Sequence, residues 1–346
     1  MKLHHLKNWN PPENWLEVDA LDVHTEGEPL RIILKGYPEL EGQTLLEKRA
    51  NAQTQHDSLR RALLWEPRGH ENMYGAIIVS PDTNGADFGV IFIHNQGYST
   101  GCGHAVIALT KVFVETGLID KKEPITEVKM DVPSGFIRAY ANVENEKITG
   151  VGFQNVPSFV QLLDEELNVP ELGRIRYDLA FGGAFYAFVD VDQVDLECRP
   201  EFYSQLIEVG MKIKQEIMAA VEIKHPTEPD MDFLYGTIFT GPAMKKDNHS
   251  RNVCIFANGQ VDRSPTGTGV SARAAIHHAR GQLEIGESIK IESIIGSTFT
   301  VKLIATTKFG SYDAVIPQVI GNAFITGYNR FWINPDDPHK GGFLLK

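Results

Sequence analysis

Apolar positions along this chain fall mostly into short runs bounded by Gly, Pro and Asn, the pattern of strands rather than of long helical faces. Runs of this kind occur at LRIIL (30–34), GAIIVSP (75–81), GVIFIHN (89–95), 136–140, 148–153 and GGAFYAFVDVD (182–192). They continue at TIFTGP (237–242), NVCIFANGQ (252–260), IKIES (289–293), FTVKLIA (299–305), YDAVIPQVI (312–320) and NAFITG (322–327). Four stretches read as helices. A polar one spans about 44–64. The segment 104–116 has apolar residues at 106, 107, 109, 112, 113 and 114, which predicts a largely buried helix stopped by Gly117. The stretch 201–219 is amphipathic, with Leu206, Ile207, Met211, Ile213 and Ile217 along one stripe. The fourth, 268–280, follows a Gly-rich loop.

Two of these helices belong to a weak internal repeat. With Cys102 and Thr266 taken as equivalent, each is followed by Gly (103, 267), by Val four residues on (106, 270) and by Ala six residues on (108, 272). Each helical segment stops at a Gly fifteen residues on (117, 281), and each follows an apolar run carrying Asn-Gln or Asn-Gly-Gln. Repeated strand–loop–helix order predicts a mixed α/β chain of two pseudo-symmetric halves with a cleft between them. The expected division is 1–180 and 181–321, with 322–346 returning to the first half.

Composition narrows the function. The chain has 346 residues, 42% hydrophobic and 23% charged, as in ordinary globular proteins. Lys plus Arg number 33 against 45 Asp plus Glu, a net charge of −12, which disfavours nucleic-acid binding. The pairs Lys121-Lys122 and Lys245-Lys246 read as solvated turns. Three widely spaced cysteines form neither a disulfide framework nor a thiolate zinc site. No run approaches the roughly 18 apolar residues of a membrane span, and the N-terminus lacks the apolar core of a leader. A cytoplasmic protein is expected.

Candidate chemistry concentrates in the two loops. Cys102, in STGCGH, directly precedes a helix, whose free N–H groups and dipole favour negative charge. A thiol there is expected to shift toward thiolate and serve as a base. The second loop, DRSPTGTG (262–269), opens another helix. If both face one cleft, the N–H groups of Gly103, His104, Gly267 and Thr268 can grip one carboxylate. Asp262 and His104 remain to hold a cationic amine, so the implied ligand is a zwitterionic amino acid. Taken alone, a Gly-rich loop is as easily a helix cap. Neither loop carries a nucleotide motif. Cys254 reads as core, and Cys198 as structural or exposed. His277 and His278 read as solvated or dipole-compensating rather than metal-binding. No Lys stands out as a Schiff base, so a cofactor-free site is expected.

The segments DVHTEGEPLRII (22–33), WEPRGHENMYGAI (65–77), NQGYSTGCGHAVIAL (95–109) and GQVDRSPTGTGVSAR (259–273) resemble the proline racemase family over most of the chain. The resemblance implies the diaminopimelate-epimerase-like fold, two similar halves each wrapping a sheet or half-barrel around a central helix, and no cofactor. Family racemases and epimerases place one cysteine in each loop, one on each face of the substrate. Here the first is Cys102, and the second position is Thr266, whose hydroxyl is no comparable acid or base at neutral pH. The Cys/Thr pairing is similar to that of the trans-3-hydroxy-L-proline dehydratases of this family. Gly101 also departs from the pattern, standing where many members have Met, a change expected to alter packing. His24 and Glu26 lie in a motif and read as a structural loop.

That pairing implies a one-sided reaction. In trans-3-hydroxy-L-proline the 3-hydroxyl lies on the ring face of the α-hydrogen, so Cys102 alone can remove the proton and return it to the departing hydroxyl. Thr266 then positions a water or the hydroxyl, or merely fills the place of a thiol. The alternatives are a racemase or epimerase of proline or hydroxyproline, and a non-catalytic amino-acid-binding protein. A homodimer is plausible.

Overall fold

The structure is a computed structural model and describes residues 9–345. The first part of the N-terminal stretch read above for a leader, residues 1–8, lies outside them. Among the described residues, five α-helices, α1 (Leu45–Gln55), α2 (Asp57–Leu64), α3 (Gly103–Glu115), α4 (Tyr203–Ala220) and α5 (Gly267–Ala279), are set among eighteen strands.

The first half is a curved sheet around α3. Its strands are β1 (Leu16–Thr25), β2 (Glu28–Lys35), β3 (Tyr74–Val79), β4 (Phe88–His94), β6 (Ile125–Val132), β7 (Gly135–Glu144) and β8 (Lys147–Gln154), with the short β5 (Gly97–Ser99) beside β4. The late strand β18 (Ala323–Ile333) returns to pair antiparallel with β1. The second half is a closed ring. It runs through β9 (Ser158–Val169), β10 (Gly173–Phe181), β11 (Phe185–Asp190), β12 (Leu234–Gly241), β13 (Ser250–Phe256), β15 (Ser288–Glu292), β16 (Thr298–Phe309) and β17 (Tyr312–Gly321), and β17 meets β9 again. The pair β14 (Gln260–Val261) lies against β13. Strands β9 and β10 pair within the ring although they lie almost wholly in the 1–180 segment expected for the first half. Antiparallel pairing of β8 with β17 joins the halves.

α3 is apolar nearly all round, the signature of a helix enclosed by sheet, whereas α5 relies on small alanines and buries Arg273 by bonding it to Asn252 Oδ1 at 2.7 Å. Ala105 to Thr110 of α3 and Gly269 to Ile276 of α5 are buried without a break. α3 packs on β1, β2, β7, β8 and β18, and α5 on β9, β10, β11, β16 and β17. The stop residues Gly117 and Gly281 adopt φ of 75° and 66°, the left-handed helix ending. α4 lies outside the ring against β12 and β13, burying Leu206, Gly210, Ile213 and Ile217.

Two expectations change. The polar stretch 44–64 is two helices, broken at His56 (φ −126°, ψ 13°). NAQTQH offers too little apolar surface to hold a continuous helix down. Asp57 instead starts a new one, pairing with Arg60 at 2.6 Å and Arg61 at 3.2 Å. Strands β1, β6, β9 and β10 were not anticipated. Their acidic residues, as in LEVDALDVHT and SFVQLLDEELNV, mask the alternation, but Asp19 and Asp22 are matched by Arg330 and Arg31 on the neighbouring strands.

A buried ion pair fixes the ring near α4. Arg251 and Glu292 meet at 2.7 Å with side chains 2% and 1% exposed. Burial pushes the Glu292 carboxyl up. The N–H groups of Met244 and Lys245 and the side chains of Asn248 and Arg251 overcome this and hold it near 2. The stabilisation is present above the ordinary carboxylate range and is lost as pH falls toward 2. Glu292→Ala strands a buried guanidinium and is expected to cost about 3–5 kcal/mol, seen as a lowered urea midpoint at pH 7. A midpoint within error of the parent would show that Arg251 is compensated elsewhere.

Candidate active site

The N-termini of α3 and α5 meet across the cleft. A Cβ built on Gly103 would lie 3.9 Å from Gly267 Cα and 3.0 Å from Phe153 Cζ. Side chains at these two positions would fill the space between the helix ends, which glycine keeps open. The free N–H groups of Gly103, His104, Gly267 and Thr268 therefore belong to two helix starts that face each other, as the repeat predicted.

Cys102 is the N-cap of α3 and is half-buried. Its Sγ lies 3.2 Å from His104 Nδ1. The expected drift toward thiolate is not what this environment produces. Burial pushes the thiol above its ordinary range, and the carboxylates of Glu28 and Asp262 push it further. The N–H groups of Ala105 and His104 pull the other way but do not prevail. The sequence showed the helix terminus; it did not show two acids folded in beside it.

His104 is buried, packed edge-on to Tyr74 at 4.8 Å, and its carbonyl accepts a hydrogen bond from Thr25 Oγ1 at 2.7 Å. Burial, followed by the charge of Arg263, holds its imidazole down at about 3, so it is neutral. A neutral imidazole beside Cys102 can still accept a hydrogen bond from an amine. Asp262 Oδ1 accepts from Ser264 N–H at 2.8 Å, and burial raises its carboxyl.

Thr266 caps α5 with φ 68° and ψ 100°. A β-branched residue at positive φ is strained, at a cost of about 1–3 kcal/mol. Its side chain is 5% exposed, and among the described residues Oγ1 has no hydrogen-bond partner. Thr268 Oγ1 shares a hydrogen bond of 2.6 Å with Tyr186. Tyr74 and Tyr235 complete the aromatic lining near Cys102. Gly101 is exposed at the cleft edge, where a Cβ would meet Ser134 Oγ at 3.3 Å, so its effect is on packing.

The residues outside the loops divide as follows. Cys254 is buried in β13 among apolar side chains. Cys198 is also buried, its thiol directed at Phe239 O, which selects the structural reading. His277 and His278 close the end of α5 onto Gln282 and the carbonyl of Leu283. Burial holds His277 near 4, so it carries no charge to compensate a dipole. The turn His24–Pro29 does more than close a loop. Glu26 accepts from Asn322 N–H at 2.8 Å, and its carbonyl accepts from Ser297 Oγ at 2.6 Å. Glu28 was missed. It is 2% exposed and accepts from Arg263 N–H at 2.9 Å, across the cleft from its own strand. An acid opening a strand that carries the apolar run Leu30, Ile32, Ile33 and Leu34 was the available signal.

Known proteins align with these features. The proline racemase family model matches residues 20–344. A trans-3-hydroxy-L-proline dehydratase of Colwellia psychrerythraea is 49% identical, covering 98% of this chain and 97% of that one. A trans-L-3-hydroxyproline dehydratase of Xenopus tropicalis is 42% identical over 97% of each. A hydroxyproline epimerase of Agrobacterium vitis, solved with trans-4-hydroxy-L-proline, superposes with a TM-score of 0.85 at 34% identity over 96% of each chain. A PhzF-family protein of Bacillus anthracis shares the fold at 11% identity and a TM-score of 0.59. The extent and identity of these matches place the chain in the proline racemase family.

Proposed function

We propose that this protein is a trans-3-hydroxy-L-proline dehydratase. The observation that carries the reading is the asymmetry of the cleft, with a thiol on one helix terminus and a hydroxyl on the other, in a chain 49% identical to a protein of that name. A racemase needs a competent base on both faces, and Thr266 does not supply the second.

The backbone N–H groups at the two helix starts hold the substrate carboxylate and stabilise the charge it gains as the α-proton leaves. Asp262 and His104 hold the ring nitrogen. The substrate ammonium offsets the Glu28 and Asp262 charges that hold the Cys102 proton on, and Cys102 then takes the α-proton as thiolate; the Cα–H electrons form the ring double bond as the C3–O bond breaks. The same thiol then gives its proton to the departing hydroxyl, so water leaves and the thiolate is regenerated. The enamine tautomerises in solution to Δ1-pyrroline-2-carboxylate. No step calls for a cofactor. We further assign the substrate to the small cyclic imino acids, the protein to the cytoplasm and its working state to a homodimer. The unit borders proposed are 1–157 with 322–346, and 158–321.

Purified protein given trans-3-hydroxy-L-proline is expected to yield pyrroline-2-carboxylate, and to leave the configuration of L-proline and trans-4-hydroxy-L-proline unchanged on chiral analysis. Inversion of either control without dehydration would overturn the reading in favour of an epimerase. Binding without turnover or α-proton exchange would make the protein a binder.

A further inference from the structure

Glu28 and Asp262 bring two carboxyl groups together where the halves of the molecule join. Glu28 opens β2 in the first half and is almost wholly buried. Its Oε2 accepts from Arg263 N–H at 2.9 Å, and its Oε1 lies 3.4 Å from the Arg263 guanidinium. Asp262 is the preceding residue of that second-half loop, and its Oδ1 accepts from Ser264 N–H at 2.8 Å, so the two carboxyls take successive N–H groups of one turn. The other groups facing the pair are Cys102 and Tyr74 from the first half, and Cys254, Tyr186, Tyr235, Ser264 and Thr266 from the second. None of these is a cation. One guanidinium thus serves a buried and a half-buried carboxyl, and adjacent carboxylates in low dielectric do not both ionise without a second cation.

We propose that Glu28 is a positioning residue for the substrate amine, which works by sharing one proton with Asp262 while the cleft is empty. When a pyrrolidinium cation docks on Asp262, the pair releases that proton to solvent. The inference rests on the reading of the protein as an enzyme of cyclic imino acids. Charge stays balanced throughout. The empty site holds one shared proton and Arg263 against two carboxyls. The filled site holds Arg263 on Glu28 and the ring ammonium on Asp262, which keeps both its nitrogen hydrogens. Burial, then the charge of Asp262, holds the Glu28 carboxyl well above the usual range against the pull of Arg263, in keeping with a retained proton. The arrangement favours a cationic amine over a neutral cyclic acid, since only a cation replaces the proton.

The test counts protons. Full-length Cys102→Ser protein, which keeps the cleft but loses the thiol as a proton source, is titrated with trans-3-hydroxy-L-proline at pH 7. Calorimetry in buffers of different ionisation enthalpy gives the proton release. About one proton released per ligand is expected. Adding Glu28→Gln is expected to cut the release to less than about a third and weaken binding about 10-fold, and adding Glu28→Asp is expected to restore the release. Release below about 0.2 proton with Glu28 in place, or the same release with and without Glu28, overturns the proposal. The count with Glu28 in place decides the matter even if the double variant fails to fold. Wild-type turnover is measured alongside. Proton-linked binding without pyrroline product would sink the dehydratase reading while leaving the carboxyl pair supported.

Discussion

Cys102→Ser is expected to lower kcat/KM for trans-3-hydroxy-L-proline by at least about a thousand-fold while substrate binding stays measurable. On the proposed mechanism, the change removes the one group that serves both the α-hydrogen and the hydroxyl on the same ring face. It removes little else. Cys102 is the N-cap of α3, and serine is a better cap than cysteine, so the helix and the free N–H groups at its start remain. The alcohol's proton affinity is too high for it to act as the base. The pH profile separates this explanation from simple loss of fit. Burial and the neighbouring carboxylates raise the proton affinity of the Cys102 thiol, so the thiolate fraction grows as pH rises through and above neutrality. Wild-type kcat/KM should therefore climb toward alkaline pH, and the residual activity of the serine variant should lack that limb. Turnover in Cys102→Ser within ten-fold of wild type would remove the one-thiol mechanism.

The parts of the molecule legible in the sequence were those where one residue type dictates one outcome. Gly117 and Gly281 end the central helices in the left-handed conformation, and Gly103 and Gly267 leave the gap between helix starts. The repeat spacing located both loops because each half must bury an apolar helix of the same length. What stayed hidden depends on contacts distant in sequence. Asp19 and Arg330 lie 311 residues apart yet form one ion pair, so β1 could not be read as a buried strand from its own residues. Glu28 meets Arg263 across 235 residues. The same contact reverses the charge environment of Cys102. A helix N-terminus is a local feature visible in sequence, while two acids delivered by other elements are not.

Thr266→Cys is expected to open a second face. Thr266 holds the place opposite Cys102, with an unpartnered hydroxyl and a strained φ of 68°. Replacing its branched side chain by an unbranched thiol keeps the helix start and supplies an acid–base group of the right proton affinity. In heavy water the variant should exchange the α-hydrogen of L-proline and form D-proline, at least about ten-fold above wild type. Dehydration should fall at the same time, because the hydroxyl that positions water or the substrate is gone. Cys254 lies behind Thr266, so the assay needs a reductant to keep the two sulfurs from oxidising together. If a folded, reduced variant shows no α-proton exchange at all, Thr266 does not face the substrate, and the two-sided geometry proposed for the cleft is wrong. If exchange appears while dehydration is untouched, Thr266 is a filler, and Cys102 with the helix-terminal N–H groups accounts for the elimination without it.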